Sequence, residues 1–349
     1  MIRGFAVLVA VTLVLSGTKS ASAFAYIFAG ETNGLDVVSH PQGYVGTGGT
    51  LVVTVGINPS TTNANQMVVS AQNVVRTINR KVATTGNLEF VSLSGQVDFE
   101  STLLHEVGHS LGLAHVNAAT ESQLPSSQRN YTKATNGANN NFDLSAGADG
   151  VIGSADDIRG DDDNLNWFKT ADNNPFTLAS VVDSTTYSRD LADLPTGDLF
   201  STNGDRTVAD QLFSLSNTEA VMQQGQFSNE LQRTLTADDV AGIRYGESGL
   251  DEIAGTADDY VLELRYAGIT TNADIVINDS TGGFAFSRNS GQFISGGPGH
   301  IRMINQGVFF DPGANWHFNQ QSNAVPEPSA ALLLLASCSI LAVRRRRTG

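Results

Sequence analysis

The string HEVGHSLGLAH, residues 105–115 of the 349-residue chain, gathers three of its six histidines and one acid into a single short stretch. On a helix, residues four apart differ by about 40° of rotation, so His105 and His109 share one face. Two imidazoles on that face can chelate one divalent ion with little further ordering. Glu106, beside the first of them, can reach a metal-bound water without ligating the metal itself. Gly112 lets the backbone turn sharply after the second histidine, so that His115 can approach as a third nitrogen donor. Three neutral imidazoles plus a water make an open site suited to Zn2+, with one position left for chemistry. The competing interpretation is a core helix that happens to carry histidines. It would bury a cluster of polar rings with no partner, which is costly.

Such a site needs elements to hold it. Asp98 caps a helix whose apolar positions are Leu103, Leu104, Val107 and Leu111, and Gly112 is placed to end it in a left-handed conformation. Upstream, the run LVVTVGI at 51–57 reads as a strand. Asn63 with Gln66 predicts a capping box. Met67, Ala71, Val74, Val75 and Ile78 then give an amphipathic helix to about Arg80. Residues 88–93 predict a second strand. Helical patterning returns around 207–215 and at 236–246, where Thr236 and Asp239 can cap the start. From 117 to 210 the composition shifts to Asn, Asp, Gly and Ser, which reads as a long, mostly irregular insertion. Residues 260–320 alternate apolar and polar between turn residues, suggesting a β-rich C-terminal region.

The string at 105–115 resembles the long zinc signature of the metzincin clan of metallopeptidases, and its matrixin branch most of all; Phe99 and Leu103 fit the usual approach to that helix. TEAVM at 218–222 is similar to the methionine-containing turn of that family, and LTADDVAGIRYG at 235–246 to the matrixin C-terminal helix. The resemblance implies that His105, His109 and His115 bind zinc, that Glu106 is the general base and that Met222 forms a hydrophobic floor. Gln224 stands where some metzincins carry a tyrosine, so no tyrosine-assisted transition state is expected. Glu219, near the turn, is expected to be structural. Only about 20 residues separate the first helix from the zinc helix, which leaves little room for the sheet usual in that family. His115 and Met222 lie 107 positions apart, so the insertion must loop out.

One internal repeat remains. DGVIGSADD at 149–157 matches DEIAGTADD at 251–259, which makes Asp149, Asp156, Asp157, Asp251, Asp258 and Asp259 candidate Ca2+ ligands. Carboxylates this close together either are solvated or share a cation. His40, His300 and His317 lack ligand-like spacing and are expected on the surface or in loops.

Both ends read as addresses. Residues 1–23 combine Arg3, an apolar run and the triplet Ala21-Ser22-Ala23, the pattern of a secretory signal peptide cleaved before Phe24. The tail has VPEPS at 325–329, a short apolar span and Arg344–Arg347. It resembles a bacterial PEP-CTERM sorting signal, implying transient membrane association, processing by an exosortase-type enzyme alongside signal peptidase, and delivery to the envelope or an extracellular matrix. The chain carries 20 Lys+Arg against 35 Asp+Glu, and trimming the Arg-rich tail makes the remainder more acidic still. That balance argues against a nucleic-acid partner. The lone cysteine, Cys338, lies in the tail, so a core, a bound metal or both must stabilise the exported chain.

The expected architecture is α+β. A metzincin-like catalytic domain, a small sheet with the zinc helix and a C-terminal helix, is split between 24–116 and 211–246. An Asp/Asn-rich insertion occupies 117–210, a β-rich region 247–325 and the sorting signal 326–349. The expected function is a secreted zinc endopeptidase acting on protein or peptide substrates. The alternative is a calcium-stabilised extracellular surface or matrix protein with a non-catalytic zinc site.

Overall fold

The computed structural model describes residues 24–28, 37–116, 166–172, 174–189, 193, 206–223 and 226–319. In chain order its elements begin with β1 (Phe24–Ala25), β2 (Val38–His40), β3 (Gly49–Ile57), α1 (Ala64–Arg80), β4 (Leu88–Phe90), β5 (Val97–Asp98) and α2 (Phe99–Ser110). There follow β6 (Asn166–Lys169), β7 (Tyr187–Ser188), α3 (Arg206–Phe213), β8 (Glu230–Gln232) and α4 (Ala237–Glu247). The chain finishes with β9 (Tyr260–Ile269), β10 (Ile275–Asp279), β11 (Ala285–Phe293), β12 (His300–Phe310) and β13 (Trp316–His317).

Local chemistry accounts for the helices. In α1 the apolar positions Met67, Ala71, Val74 and Ile78 are buried at helical spacing, and Lys81 ends the helix in a left-handed conformation (φ 46°). The capping box expected from Asn63 and Gln66 does not form. The Asn63 side chain makes no cap bond, and backbone carbonyls of Thr61 and Asn63 take the first amides instead. At α2 the cap is as expected, with Asp98 Oδ2 accepting from Ser101 N at 2.9 Å. At α4, Asp239 Oδ2 accepts from both the Thr236 amide and its hydroxyl at 2.8 Å.

The main sheet runs β11-β12-β10-β3-β9, with β2 paired to β12. All pairings are parallel except β11 with β12. Val53, Val55 and Ile57 of β3 are fully buried at the centre, as a parallel strand covered by helices requires. Helix α1 packs on β9 and β3, and α2 on β11, β12 and α1. The molecule is thus mixed α/β with a mostly parallel sheet and few helices, compatible with the α+β expectation.

The strands predicted at the C-terminal end do not stand apart. Ile275 pairs with Val55, Leu262 with Leu51 and His300 with Val38, so strands after α4 complete the sheet begun by β2 and β3. The short interval before α2 therefore never needed to hold a sheet. The insertion is not wholly irregular either. β6 pairs with β1 and β7, and Trp167 stacks on Phe24 at 5.8 Å between ring centres.

The histidines expected at the surface are a further correction. His40 and His300 are 0% and 3% exposed, with His40 Nε2 and His300 Nδ1 2.9 Å apart. β2 and β12 pair side by side, which brings both rings into the core. His317 is partly buried in β13, paired with β5. Residues 1–23 and 326–349, expected to be a leader and a sorting signal, lie outside the described residues. Among those described, no helix is long and apolar enough to cross a membrane.

Burial, reinforced by the neighbouring His300, lowers His40 to about 3. Below pH 6.5 the unfolded chain therefore binds a proton that the folded chain refuses, and stability falls as pH drops from 6.5 toward 3. One such proton corresponds to about 1.4 kcal/mol per pH unit. Denaturant melts of parent and His40→Gln between pH 7 and 4 should differ in slope by about this amount, with the parent steeper; parallel slopes would contradict the assignment.

Candidate metal centre and active site

Helix α2 presents His105 and His109 on one face, and the turn after it delivers His115. The three Nε2 atoms lie 3.1–3.2 Å from one another. Tetrahedral coordination with Zn–N bonds of about 2.0–2.1 Å puts ligand nitrogens roughly 3.3–3.4 Å apart, so the triangle is already near the size a zinc ion would impose. Proton placement strengthens the fit. His105 Nδ1 donates to Val221 O at 2.7 Å and His109 Nδ1 to Leu113 O at 2.8 Å. Carbonyls only accept, so in the neutral rings both Nε2 atoms carry lone pairs. Those lone pairs face each other at 3.1 Å with no hydrogen between them, an arrangement that favours a shared cation. Protonation is opposed too. Burial, with His105 adding repulsion, lowers His109 to about 3, and burial holds His105 and His115 below their ordinary range.

Sequence-distant segments fix the rings. The Val221 carbonyl that orients His105 belongs to the methionine-containing turn, and Asp239 of α4 holds that turn. Its two carboxylate oxygens accept from Val221 N and Met222 N, both at 3.0 Å. Val116 N donates to Met222 O at 3.2 Å, so His115 and the turn meet despite their separation in sequence. Met222 is buried beneath α2 at Gly108, where an added Cβ would lie 2.3 Å from the Met222 sulfur. Glu219 is buried and holds the turn's approach, exchanging bonds with Asn87 and accepting from Arg206 N. Gln224 lies outside the described residues.

The segment bearing His115 is held from the other end of the chain. Ala114 N donates to Ala25 O at 2.8 Å and Ile27 N to Gly112 O at 2.9 Å. Gly112, at φ 109°, sits so close to Ser39 that a Cβ would lie 2.6 Å from its carbonyl oxygen. Glycine therefore serves there both the turn and the close approach.

Glu106 is buried in the wall of a cleft of about 660 Å³ that also holds the three histidines. Ile27 and Phe28 line one part of it, Val221 and Gln223 another, and Phe284 to Ser287 with Asn289 the side formed by β11. Burial pushes the Glu106 carboxyl up to about 8, with a hydrogen bond from Ser287 pulling the other way. A divalent cation at the adjacent nitrogens would oppose the burial and favour the carboxylate.

The second expected cluster is half described. Asp251, Asp258 and Asp259 bring carboxylate oxygens within 4.8 Å of one another. Their own loop supplies donors, including Ile253 N to Asp251 at 3.0 Å and the Thr256 hydroxyl to Asp258 and Asp259 at 2.9 Å. Asp149, Asp156 and Asp157 lie outside the described residues.

Sequence reasoning did not find Ser287 or Asn289, which belong to no motif and lie about 180 positions from the histidines they approach. It read Asp239 only as a cap, not as the anchor of the turn. Comparison with protein-family models, curated proteins and solved structures finds no match.

The contact beneath α2 predicts that Gly108→Ala destabilises the chain by about 1–3 kcal/mol through overpacking. Met222→Ala in the same chain should relieve part of that cost. Denaturant unfolding of the two singles and the double checks it; strictly additive effects would mean that Gly108 does not make room for Met222.

Proposed function

We propose that the chain is an exported zinc-dependent endopeptidase of metzincin type. The observation that carries this reading is the convergence of three neutral imidazole nitrogens in an open cleft beside a buried carboxyl. His105, His109 and His115 would hold the ion. A structural zinc site ordinarily fills its fourth position from the protein, whereas here the nitrogens face a cleft and the nearest acid, Glu106, adjoins a ligand without being needed as one. When bound, zinc supplies a Lewis acid and a water acidic enough to ionise near neutral pH.

The chain's own groups do the rest. Glu106 accepts the proton of the attacking water and returns it to the leaving amine. Val221 O and Leu113 O keep the first two imidazoles in the tautomer that turns Nε2 toward the ion. β11 is an edge strand of the main sheet and forms one wall of the cleft. An extended peptide can hydrogen-bond along such an edge, which supports protein or peptide substrates. The leader and tail support export and processing by signal peptidase and an exosortase-type enzyme, with delivery to the bacterial envelope or extracellular matrix. Ca2+ at the Asp251 loop is a further proposal, resting on the clustered carboxylates alone.

Elemental analysis of the purified chain should find one zinc per molecule. Casein or gelatin digestion should be lost on chelation, and Glu106→Ala should lower the rate roughly 10²–10⁴-fold while retaining zinc. Unchanged activity in Glu106→Ala would remove the mechanism. A zinc-loaded but inert parent would favour a matrix or surface protein with a non-catalytic zinc site.

A further inference from the structure

Phe28 lines the cleft in a backbone conformation that a bulky side chain seldom adopts. Its φ is 72°, in the left-handed region that disfavours any residue with a Cβ. The surrounding structure holds it there. Ile27 N donates to Gly112 O at 2.9 Å, and Ile27 O accepts from the Ser39 hydroxyl. The Phe28 ring lies against β11 at Gly291, where an added Cβ would be 2.8 Å from it. Strain of this kind persists where the neighbours over-determine the position, and it clusters at ligand-binding sites.

The far end of the same wall is aromatic as well. Phe284, 46% exposed, stacks on Trp316 at 4.6 Å between ring centres. Trp316 in turn packs edge-on against Phe99, at the start of α2. Asn289 Nδ2, further along β11, donates to His109 O in the last turn of that helix at 3.4 Å. β11 therefore runs beside α2 from its first turn to its last. The interval from Phe284 to Gly291 spans roughly 20 Å of strand, room for about six residues of an extended peptide.

Between these ends the cleft offers almost no charge. Among the described residues that line it, only Glu106 and the three histidines are ionisable, in a chain with 35 acidic and 20 basic residues. Arg288 does not line it and is held over the rings of Phe286 and Phe309, at 5.3 and 5.1 Å. The wall beside the first turn of α2 is polar but neutral, with Thr102 and Gln226 bonded to each other and to Asp98 O. A charged side chain entering here gives up its water without meeting a counter-charge. A large apolar one buries surface against the aromatic wall.

We propose that the cleft selects uncharged peptide segments bearing large apolar side chains, with Phe28 and Phe284 as the residues that determine this preference. The inference rests on the peptidase reading for the peptide nature of the substrate, and its test keeps binding separate from cleavage.

Binding is measured on the full chain carrying Glu106→Ala, by fluorescence anisotropy of labelled peptides about eight residues long. One is uncharged with a Leu and a Phe near its two ends; two others carry Asp or Lys in place of the Phe. The uncharged peptide should bind at least about 10-fold more tightly than either charged one. Phe28→Ala and Phe284→Ala should each weaken its binding roughly 2- to 10-fold. Phe284→Lys, at a half-exposed position, should instead tighten binding of the Asp peptide, a gain that misfolding cannot produce. With Glu106 in place, the parent should cleave the uncharged peptide in preference to the charged ones. Equal affinity for the three peptides, no binding of any, or indifference to the changes at Phe28 and Phe284 would overturn the inference. Selective binding with no cleavage by the zinc-loaded parent would sink the peptidase reading and leave the selectivity standing.

Discussion

Three imidazole nitrogens converge at 3.1–3.2 Å, and the facing lone pairs of His105 and His109 Nε2 repel unless a proton from His115 or a cation lies among them. Two of the rings have spent their only proton on backbone carbonyls, so they cannot relieve the contact by hydrogen-bonding each other. Charging them is opposed by burial. The rest of the structure can be understood as scaffolding that keeps this unfavourable convergence in place. A helix of good propensity would place two imidazoles four apart, and Leu113 O fixes the tautomer of His109 locally, but nothing local obliges the third ring to approach or His105 to keep its tautomer. Those constraints come from the segment at 24–27, from the turn at 218–222 and, through Asp239, from α4.

The helices and the site were legible because their signals are local. Asp98, the apolar spacing of α1 and α2, Gly112 and the Thr236–Asp239 pair each act within a turn or two of themselves, and each appears as the residue types imply. The failure at Asn63 is instructive, since backbone carbonyls at 61 and 63 took the amides before the side chain could. The histidine string was legible for a different reason, because a rare residue at two fixed spacings carries both the helix face and the convergence of the three rings.

What could not be read is which strand pairs with which. Alternation marks β9 to β12 as strands but holds no information about partners, and the pairing of β3 with β9 and β10 spans more than 200 residues. The burial of His40 and His300 follows from that pairing, so it was hidden for the same reason. So were Ser287 and Asn289, which acquire meaning only once β11 lies beside α2. Val53, Val55 and Ile57 gave only a partial hint. Their alternate burial marks a strand with one face on the core but says nothing of which strands lie beside it.

The order in which the sheet is assembled has a consequence for synthesis. Its central strand emerges early, yet both flanking neighbours, and the wall of the cleft opposite the histidines, are encoded after residue 260. Contacts of such long sequence separation form late and slowly. A growing chain therefore already carries all three histidines and Glu106 while it lacks the strand that faces them across the cleft. Whatever chemistry the cleft carries out, its two walls meet only when almost the whole chain has been made.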